Sequence, residues 1–176
     1  MIEVSGVSAC YTLVELGTQR RYIAVLHLLQ VVRVSCSFSP GEVVSLAGLN
    51  GSGKSTLSRL LCAMRLADAG CIVVDGVDPA NSEHDRLAVR KAVGFVQQDP
   101  ADQIVSTLVF DEVAFGPRNL GLDEDDVCER VRASLAAVGL DGFEKRDVSG
   151  LSGGEQQRLA LAGVLAMDPA YLVLDE

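Results

Sequence analysis

The hydrophobic pattern changes period across one glycine-rich segment of the chain. Residues 43–47 are an apolar run that predicts a buried strand, whereas Leu57, Leu60 and Leu61 recur at helical spacing. Residues 48–56 lie between these two patterns. The chain is therefore predicted to pass from a strand through a tight turn into a helix.

The segments around this unit are less regular. Apolar residues from Ile2 onward predict an entry strand that ends near Tyr11, and the polar residues 12–21 predict a loop. Residues 22–38 are rich in β-branched side chains, but their pattern does not divide them into strands and helix. Gly70 is predicted to end the helix that follows the glycine-rich turn.

The second half of the chain alternates short apolar runs with helical patterns. Three runs predict strands, at residues 71–74, 92–96 and 171–174. Two helices are predicted, one over residues 123–138 and one that follows residues 151–158 and runs through Leu165. A partly helical stretch over residues 102–115 is predicted to be broken by Gly116 and Pro117, because proline disrupts a helix interior. This alternation indicates an α/β fold.

Composition narrows the class of protein. The 176 residues carry a formal charge of −9, which disfavours non-specific nucleic-acid binding, so no nucleic-acid partner is expected. The five cysteines show no CxxC spacing, and we predict that they are reduced, mostly buried and not metal ligands. The longest apolar segment, residues 22–34, is shorter than a membrane span, and no signal peptide is seen. Work at a membrane would therefore require a membrane partner.

The glycine-rich segment has the spacing of a phosphate-binding loop. Glycines let successive backbone N–H groups turn toward phosphate oxygens at a helix N-terminus. Lys54 can reach the β- and γ-phosphates, the Ser55 hydroxyl suits Mg²⁺, and Thr56 suits the α-phosphate region. The predicted nucleotide-binding residues here are Asn50, Gly51, Ser52, Gly53, Lys54, Ser55 and Thr56. The alternative is a chance match in a glycine-rich turn.

An acidic pair follows the last apolar run. Asp175 can hold the Mg²⁺ shell directly or through water, and Glu176 can accept a proton from an attacking water. Taken alone, such a pair would simply be exposed at a strand end. The phosphate-binding loop upstream favours the catalytic interpretation.

The segment Leu-Ser-Gly-Gly-Glu at residues 151–155, followed by Gln-Gln-Arg, resembles the signature sequence of ABC-type ATPases. The resemblance implies that Ser152, Gly153 and Gly154 contact ATP bound to the phosphate-binding loop of a second subunit. It thereby implies a head-to-tail dimer with two composite sites. The alternative is a helix N-cap without further role.

The same family resemblance assigns two more residues. Gln98 matches the glutamine that reaches Mg²⁺ and the attacking water, with Gln97 as the neighbouring alternative, and Tyr11 matches the aromatic residue that stacks on adenine. The implied fold is an α/β P-loop NTPase with a RecA-like core sheet, an antiparallel β-subdomain and an inserted helical subdomain, its C-terminal strands missing. Residues 1–97 and 157–176 would form the core, and residues 98–156 the helical subdomain.

Residues 98–104, 111–117 and 119–122 resemble the ATPase subunits of energy-coupling-factor transporters. This implies an ATP- and Mg²⁺-dependent subunit that drives uptake of a vitamin or transition-metal ion from the cytoplasmic face of the membrane. The implied partners are a second ATPase subunit, a transmembrane coupling subunit and a substrate-binding membrane subunit. The alternatives are the ATPase of another ABC transporter class, a soluble ABC ATPase, and a truncated module that binds nucleotide without hydrolysing it.

The family pattern continues beyond the acidic pair with a proline-containing loop, further strands and a switch histidine. The sequence ends at Glu176, and His27 and His84 match neither later position. We therefore expect weakened hydrolysis from the chain as it stands.

Overall fold

The computed structural model describes residues 1–16, 23–39 and 41–175, and for residues 10–16 and 23–30 it describes the backbone alone. The strands are β1 (Ile2–Leu16), β2 (Ile23–Phe38), β3 (Ala69–Val74), β4 (Val93–Val96) and β5 (Tyr171–Leu174). The helices are α1 (Lys54–Leu61), α2 (Glu83–Ala92), α3 (Val109–Asn119), α4 (Glu124–Ala137) and α5 (Gly153–Leu165). The chain divides into two compact units, Met1–Arg90 and Lys91–Glu176.

The first unit contains an antiparallel three-stranded sheet with the order β2-β1-β3. Along β1, Ile2, Val4, Val7 and Ala9 are buried, although strict alternation would bury residues 2, 4, 6 and 8. The register shifts between Val4 and Val7, where Gly6 has a φ of 58°. An irregularity of this kind adds a residue and keeps the apolar side chains on one face.

The strands at the start of the chain are longer than predicted. Residues 12–16 continue β1, so the loop prediction is wrong for them, and residues 17–21 lie outside the described residues. In the segment 22–38, whose pattern did not divide it into strands and helix, residues 23–38 form one strand, β2, and residue 22 lies outside the described residues. Strands β1 and β2 pair with each other from Ile2 and Phe38 to Leu16 and Ile23, and this pairing explains why both are long. Cross-strand contacts stabilise polar and apolar positions alike.

Gly70 does not end a helix, which corrects the prediction. Helix α1 ends at Leu61, and Gly70 lies in β3 with a φ of 80°. A Cβ atom on Gly70 would lie 2.5 Å from the carbonyl carbon of Gly6. The residue is glycine because two backbones approach closely at this point.

The apolar run before the glycine-rich turn is not a buried strand, so that prediction is wrong. Residues 42–49 have no strand geometry, and Val43 is 99% exposed. An apolar run becomes a strand only when a neighbouring strand accepts and donates its backbone hydrogen bonds. Within the described ranges, no strand pairs with this segment.

The second unit combines the parallel pair β4–β5 with helices α3, α4 and α5. Its core comprises the buried residues Val109, Val113, Ala114, Val127, Val131, Leu135, Leu140, Val148, Leu151, Leu159, Ala162 and Ala166. The strands predicted at residues 71–74, 92–96 and 171–174 and both predicted helices are present, with ends that differ by a few residues. No helix in the described ranges combines the length and the apolar character that a membrane span requires.

Helix α3 passes through Pro117 and ends at Asn119, so the predicted stop at the proline is wrong. Pro117 lies in the last turn, and only Arg118 and Asn119 of the helix follow it. The side chain is also completely buried. Burial of the ring therefore offsets the local cost of the proline.

The cysteines are less buried than predicted. Cys62 is buried, and burial raises the pKa of its thiol to about 12. Cys36 and Cys128 are half-buried, and Cys71 is exposed. The expectation of mostly buried thiols therefore holds for Cys62 alone among these four.

Candidate nucleotide-binding site

The glycine-rich turn has the backbone of a tight loop that leads into a helix. Gly51 and Gly53 have φ values of 79° and 95°, in the left-handed region that favours glycine. The amide of Ser52 donates to the carbonyl of Leu49 at 3.1 Å, and α1 begins at Lys54. A helix N-terminus presents N–H groups and a partial positive charge, which together attract anions.

The Lys54 side chain folds back over this loop. Its Nζ atom donates to the carbonyl oxygen of Gly48 at 2.9 Å and to that of Leu49 at 3.2 Å. The fold-back requires a compact loop, and a Cβ atom on Gly48 would lie 2.7 Å from Oγ of Ser52. The loop therefore holds a cation beside its own amides.

A cavity of about 410 Å³ adjoins the loop. It is lined by Val31, Val32, Val34, Leu46, Ala47, Ser52, Gly53, Lys54 and Leu57. The strand β2 contributes an apolar wall, and the loop contributes polar groups and the lysine. This combination suits a ligand with an anionic part and an apolar part.

The signature segment forms the N-terminus of α5. Ser152 is the N-cap, and its side chain accepts a hydrogen bond from the amide of Glu155 at 3.4 Å. Ser152, Gly153 and Gly154 are all exposed, and a Cβ atom on either glycine would meet nothing within 4 Å. The start of this helix is therefore open to another molecule.

Glu155 completes a capping box at this helix, a contact that the sequence reasoning missed. Its Oε2 atom accepts from the amide of Ser152 at 2.7 Å and from the Ser152 hydroxyl at 2.6 Å. These bonds, with the positive charges of Arg158 and Arg146, lower the pKa of the Glu155 carboxyl. The signal in the sequence is the spacing of serine and glutamate three residues apart.

Asp175 and Gln98 follow neighbouring parallel strands. Val96 at the end of β4 pairs with Leu174 at the end of β5, and the amide of Asp175 donates to the carbonyl of Val96 at 3.0 Å. Parallel strands bring the residues that follow them to one edge of a sheet. The second unit therefore places the predicted Mg²⁺ ligands Asp175 and Gln98 on segments that leave the sheet side by side.

The loop after β4 is tied to the signature helix by Gln103. Its Oε1 atom accepts from the amide of Gln97 at 2.9 Å, and its Nε2 atom donates to the carbonyl of Ala160 at 3.4 Å. Ala160 lies in α5, so one side chain links the predicted glutamine loop with the helix that begins at Ser152. The sequence reasoning gave Gln103 no role.

Glu112 is a second residue that the reasoning missed. It is 8% exposed, and its Oε2 atom accepts from the amides of Val105 at 2.9 Å and Ser106 at 2.8 Å. It therefore anchors the backbone between the glutamine loop and α3. A glutamate inside the apolar run of α3 is the only sign of this role in the sequence.

The predicted site residues divide between the two units. The loop residues from Asn50 to Thr56 belong to Met1–Arg90, whereas Gln98, the signature residues and Asp175 belong to Lys91–Glu176. The backbone of Tyr11 pairs with Leu28, but its side chain lies outside the described part of the structure, as does all of Glu176. The catalytic and ligand-binding roles of these residues stay predictions.

Comparisons with known proteins place this geometry in a family. A model of the ABC transporter family matches residues 31–176. An energy-coupling factor transporter ATP-binding protein from Methanothermobacter thermautotrophicus is 48% identical over 136 residues, which are 77% of this chain and 44% of that protein. The chain spans about half the length of the curated relatives that it matches.

Solved structures agree on the fold. One is cbiO1 from Clostridium perfringens, described as part of the ABC transporter complex cbiONQ, with 30% identity and a TM-score of 0.82 over 99% of this chain and 64% of that one. Another is the dimeric ATP-binding cassette MJ0796 bound to ADP and Pi, with 23% identity and a TM-score of 0.82 over 99% of this chain and 73% of that one. The fold is that of a P-loop NTPase cassette, and the chain belongs to the ABC transporter family.

Proposed function

We propose that this chain is the ATP-binding subunit of an ABC importer of the energy-coupling-factor type. It would couple ATP hydrolysis to uptake of a vitamin or transition-metal ion through membrane partners. The observation that carries the proposal is the tight loop that enters α1 with the Lys54 ammonium folded onto it. The energy-coupling-factor name of a relative 48% identical supports the finer assignment.

Lys54 would exchange two carbonyl partners for phosphate oxygens when ATP binds. A phosphate oxygen carries more negative charge than a carbonyl oxygen, so the exchange favours the bound state. The loop amides and the start of α1 would bind the same phosphates. Catalysis in such a site consists mainly of positioning and charge stabilisation of the γ-phosphoryl group.

The predicted Mg²⁺ ligands supply the donors that this ion prefers. The Ser55 hydroxyl, the Asp175 carboxylate and the Gln98 amide oxygen are hard oxygen donors, so their chemistry fits Mg²⁺. When bound, the ion neutralises phosphate charge. Glu176 would accept the proton of the attacking water, since a carboxylate next to the Mg²⁺ shell is placed to act as a general base.

The open start of α5 supports a composite site between two subunits. Ser152, Gly153 and Gly154 are exposed and have space above them, as a surface that meets another chain requires. The partners would be a second ATPase subunit, identical or paralogous, a transmembrane coupling subunit and a substrate-binding membrane subunit. The chain would be held by them at the cytoplasmic face of the membrane.

The test is nucleotide binding by Lys54→Ala. Loss of charged hydrogen bonds to phosphate is expected to weaken Mg²⁺-ATP binding on the order of 10- to 100-fold, measured by titration calorimetry. Lys91→Ala is the matched control, because Lys91 is an exposed lysine at the end of α2. Equal affinity of the two variants would contradict the assignment of the loop as the phosphate site.

A further inference from the structure

The hydroxyl of Ser152 is already engaged within its own chain. It donates to Oε2 of Glu155 at 2.6 Å, and the backbone amide of Ser152 donates to the same oxygen at 2.7 Å. A serine hydroxyl carries one proton and can donate one hydrogen bond at a time. Phosphate oxygens at neutral pH accept hydrogen bonds and have almost none to donate, so the serine must release Glu155 before it can donate to a phosphate.

The carboxylate also brings a charge of the wrong sign for a phosphate ligand. Glu155 lies in the first turn of α5, at the end of the helix that favours anions. The hydrogen bonds from Ser152, and to a smaller extent the positive charges of Arg158 and Arg146, favour its ionised form. An incoming triphosphate would therefore meet an anion that already accepts from the amide and the hydroxyl of Ser152.

We propose that Glu155 restrains Ser152. Its carboxylate competes with the γ-phosphate of ATP for the hydroxyl and the amide of Ser152. This competition raises the ATP concentration at which two subunits close. This inference rests on the proposed function, in which Ser152 contacts ATP bound by the other subunit. Glu155 is a positioning residue, since it acts on the nucleotide through Ser152.

A purely structural capping box would behave differently. In that case Glu155 stabilises α5, and its replacement changes the stability of the chain but not its response to nucleotide. Glu155→Gln separates the two roles, because glutamine also completes a capping box but carries no charge. Its neutral amide holds the serine less strongly than a carboxylate does.

The experiment measures the concentration of AMP-PNP, with Mg²⁺, that gives half-maximal dimer of the chain in analytical ultracentrifugation. For Glu155→Gln we expect a concentration about fivefold lower than for the unmodified chain, since a charged hydrogen bond is roughly twice as strong as a neutral one. Asp126→Asn is the matched control: Asp126 occupies the corresponding position of α4, three residues after its N-cap Asp123. This control should leave the concentration unchanged.

Ser152→Ala separates failure of this inference from failure of the proposed function. If Ser152→Ala weakens the dimer but Glu155→Gln equals the unmodified chain, competition by Glu155 is refuted and the trans contact stands. If neither AMP-PNP nor Ser152→Ala affects the oligomeric state, the trans contact is refuted and the inference with it. Support requires in addition that Glu155→Gln has a smaller effect when Ser152 is already alanine, because only the backbone amide of residue 152 is then left for the carboxylate to hold.

Discussion

Glu112 shows how a single buried charge fixes a loop. Its buried carboxylate is the partner of two consecutive amides, those of Val105 and Ser106, in a segment that is itself half-buried to exposed. An amide that loses a charged acceptor loses a strong hydrogen bond, which water replaces only in part. Glu112 therefore holds the segment that links the glutamine loop to α3.

We expect Glu112→Ala to lower the free energy of unfolding by about 1–3 kcal/mol, because two backbone N–H groups lose a charged acceptor and the buried side chain is removed. Urea denaturation followed by circular dichroism measures the change. Glu129→Ala is the control, since Glu129 is exposed on α4 and its loss should cost less than about 0.5 kcal/mol. A similar loss in both variants would show that the Glu112 contact contributes nothing beyond a surface carboxylate.

The role of Glu112 could not be obtained from the sequence, because its partners are backbone amides that any residues would supply. The same holds for Gln103, which links Gln97 and Ala160. By contrast, Lys54 and Ser152 were predicted from motifs whose chemistry depends on residue type and spacing. Motifs predict which residues would meet a ligand, whereas the residues that support them emerge only from the tertiary contacts.

At the scale of elements, Gly94 marks a close approach between strand β4, helix α5 and the loop that joins α5 to β5. A Cβ atom on Gly94 would lie 2.4 Å from Cγ1 of Val164 and 2.9 Å from Cγ of Pro169. Val164 lies in α5, and Pro169 lies between α5 and β5. The absence of a side chain at Gly94 lets the signature helix pack against the strand that leads to Gln98.

Gly94→Ala is expected to destabilise the chain by about 1–3 kcal/mol, because the added methyl group must displace a branched side chain and a proline ring. The measurement is the urea midpoint of unfolding. Gly150→Ala is the matched control: a Cβ atom there meets nothing within 4 Å, so its midpoint should stay close to that of the unmodified chain. Equal unfolding midpoints for the two variants would contradict a close approach at Gly94.

The elements that could be predicted are those whose signals lie within their own sequence. Helix α4 carries its period, its acidic start and the cap Asp123 within its own sequence, and it was found over nearly the predicted residues. Residues 43–47 have an equally clear apolar pattern, yet they form no strand, because a strand depends on neighbours that its own sequence does not contain. Helix α3 shows the opposite case: its sequence contains a local stop signal, Pro117, yet the helix continues through this buried residue.

At the scale of the whole molecule, the two halves of the proposed site belong to different parts of the chain. The phosphate-binding loop lies in Met1–Arg90, and the signature lies in Lys91–Glu176. If each composite site takes the loop from one subunit and the signature from the other, a defect in each half can be complemented. A site built within one chain cannot be restored in this way.

Mixing Lys54→Ala with Ser152→Ala chains tests this arrangement. Each variant alone should give much less Mg²⁺-ATP-dependent dimer and much lower turnover than the unmodified chain at the same nucleotide concentration, because every site lacks one half. With random pairing about half of the dimers are mixed, and each mixed dimer has one intact site, so the mixture should reach roughly a quarter of the intact sites of the unmodified chain.

The readout is ATP-dependent dimer in sedimentation, together with phosphate release wherever the unmodified chain turns over. A mixture of two chains that both carry Lys54→Ala is the control, since none of its sites has the lysine. No gain over the separate variants would mean that Lys54 and Ser152 do not meet across a subunit boundary, and the head-to-tail arrangement would have to be abandoned.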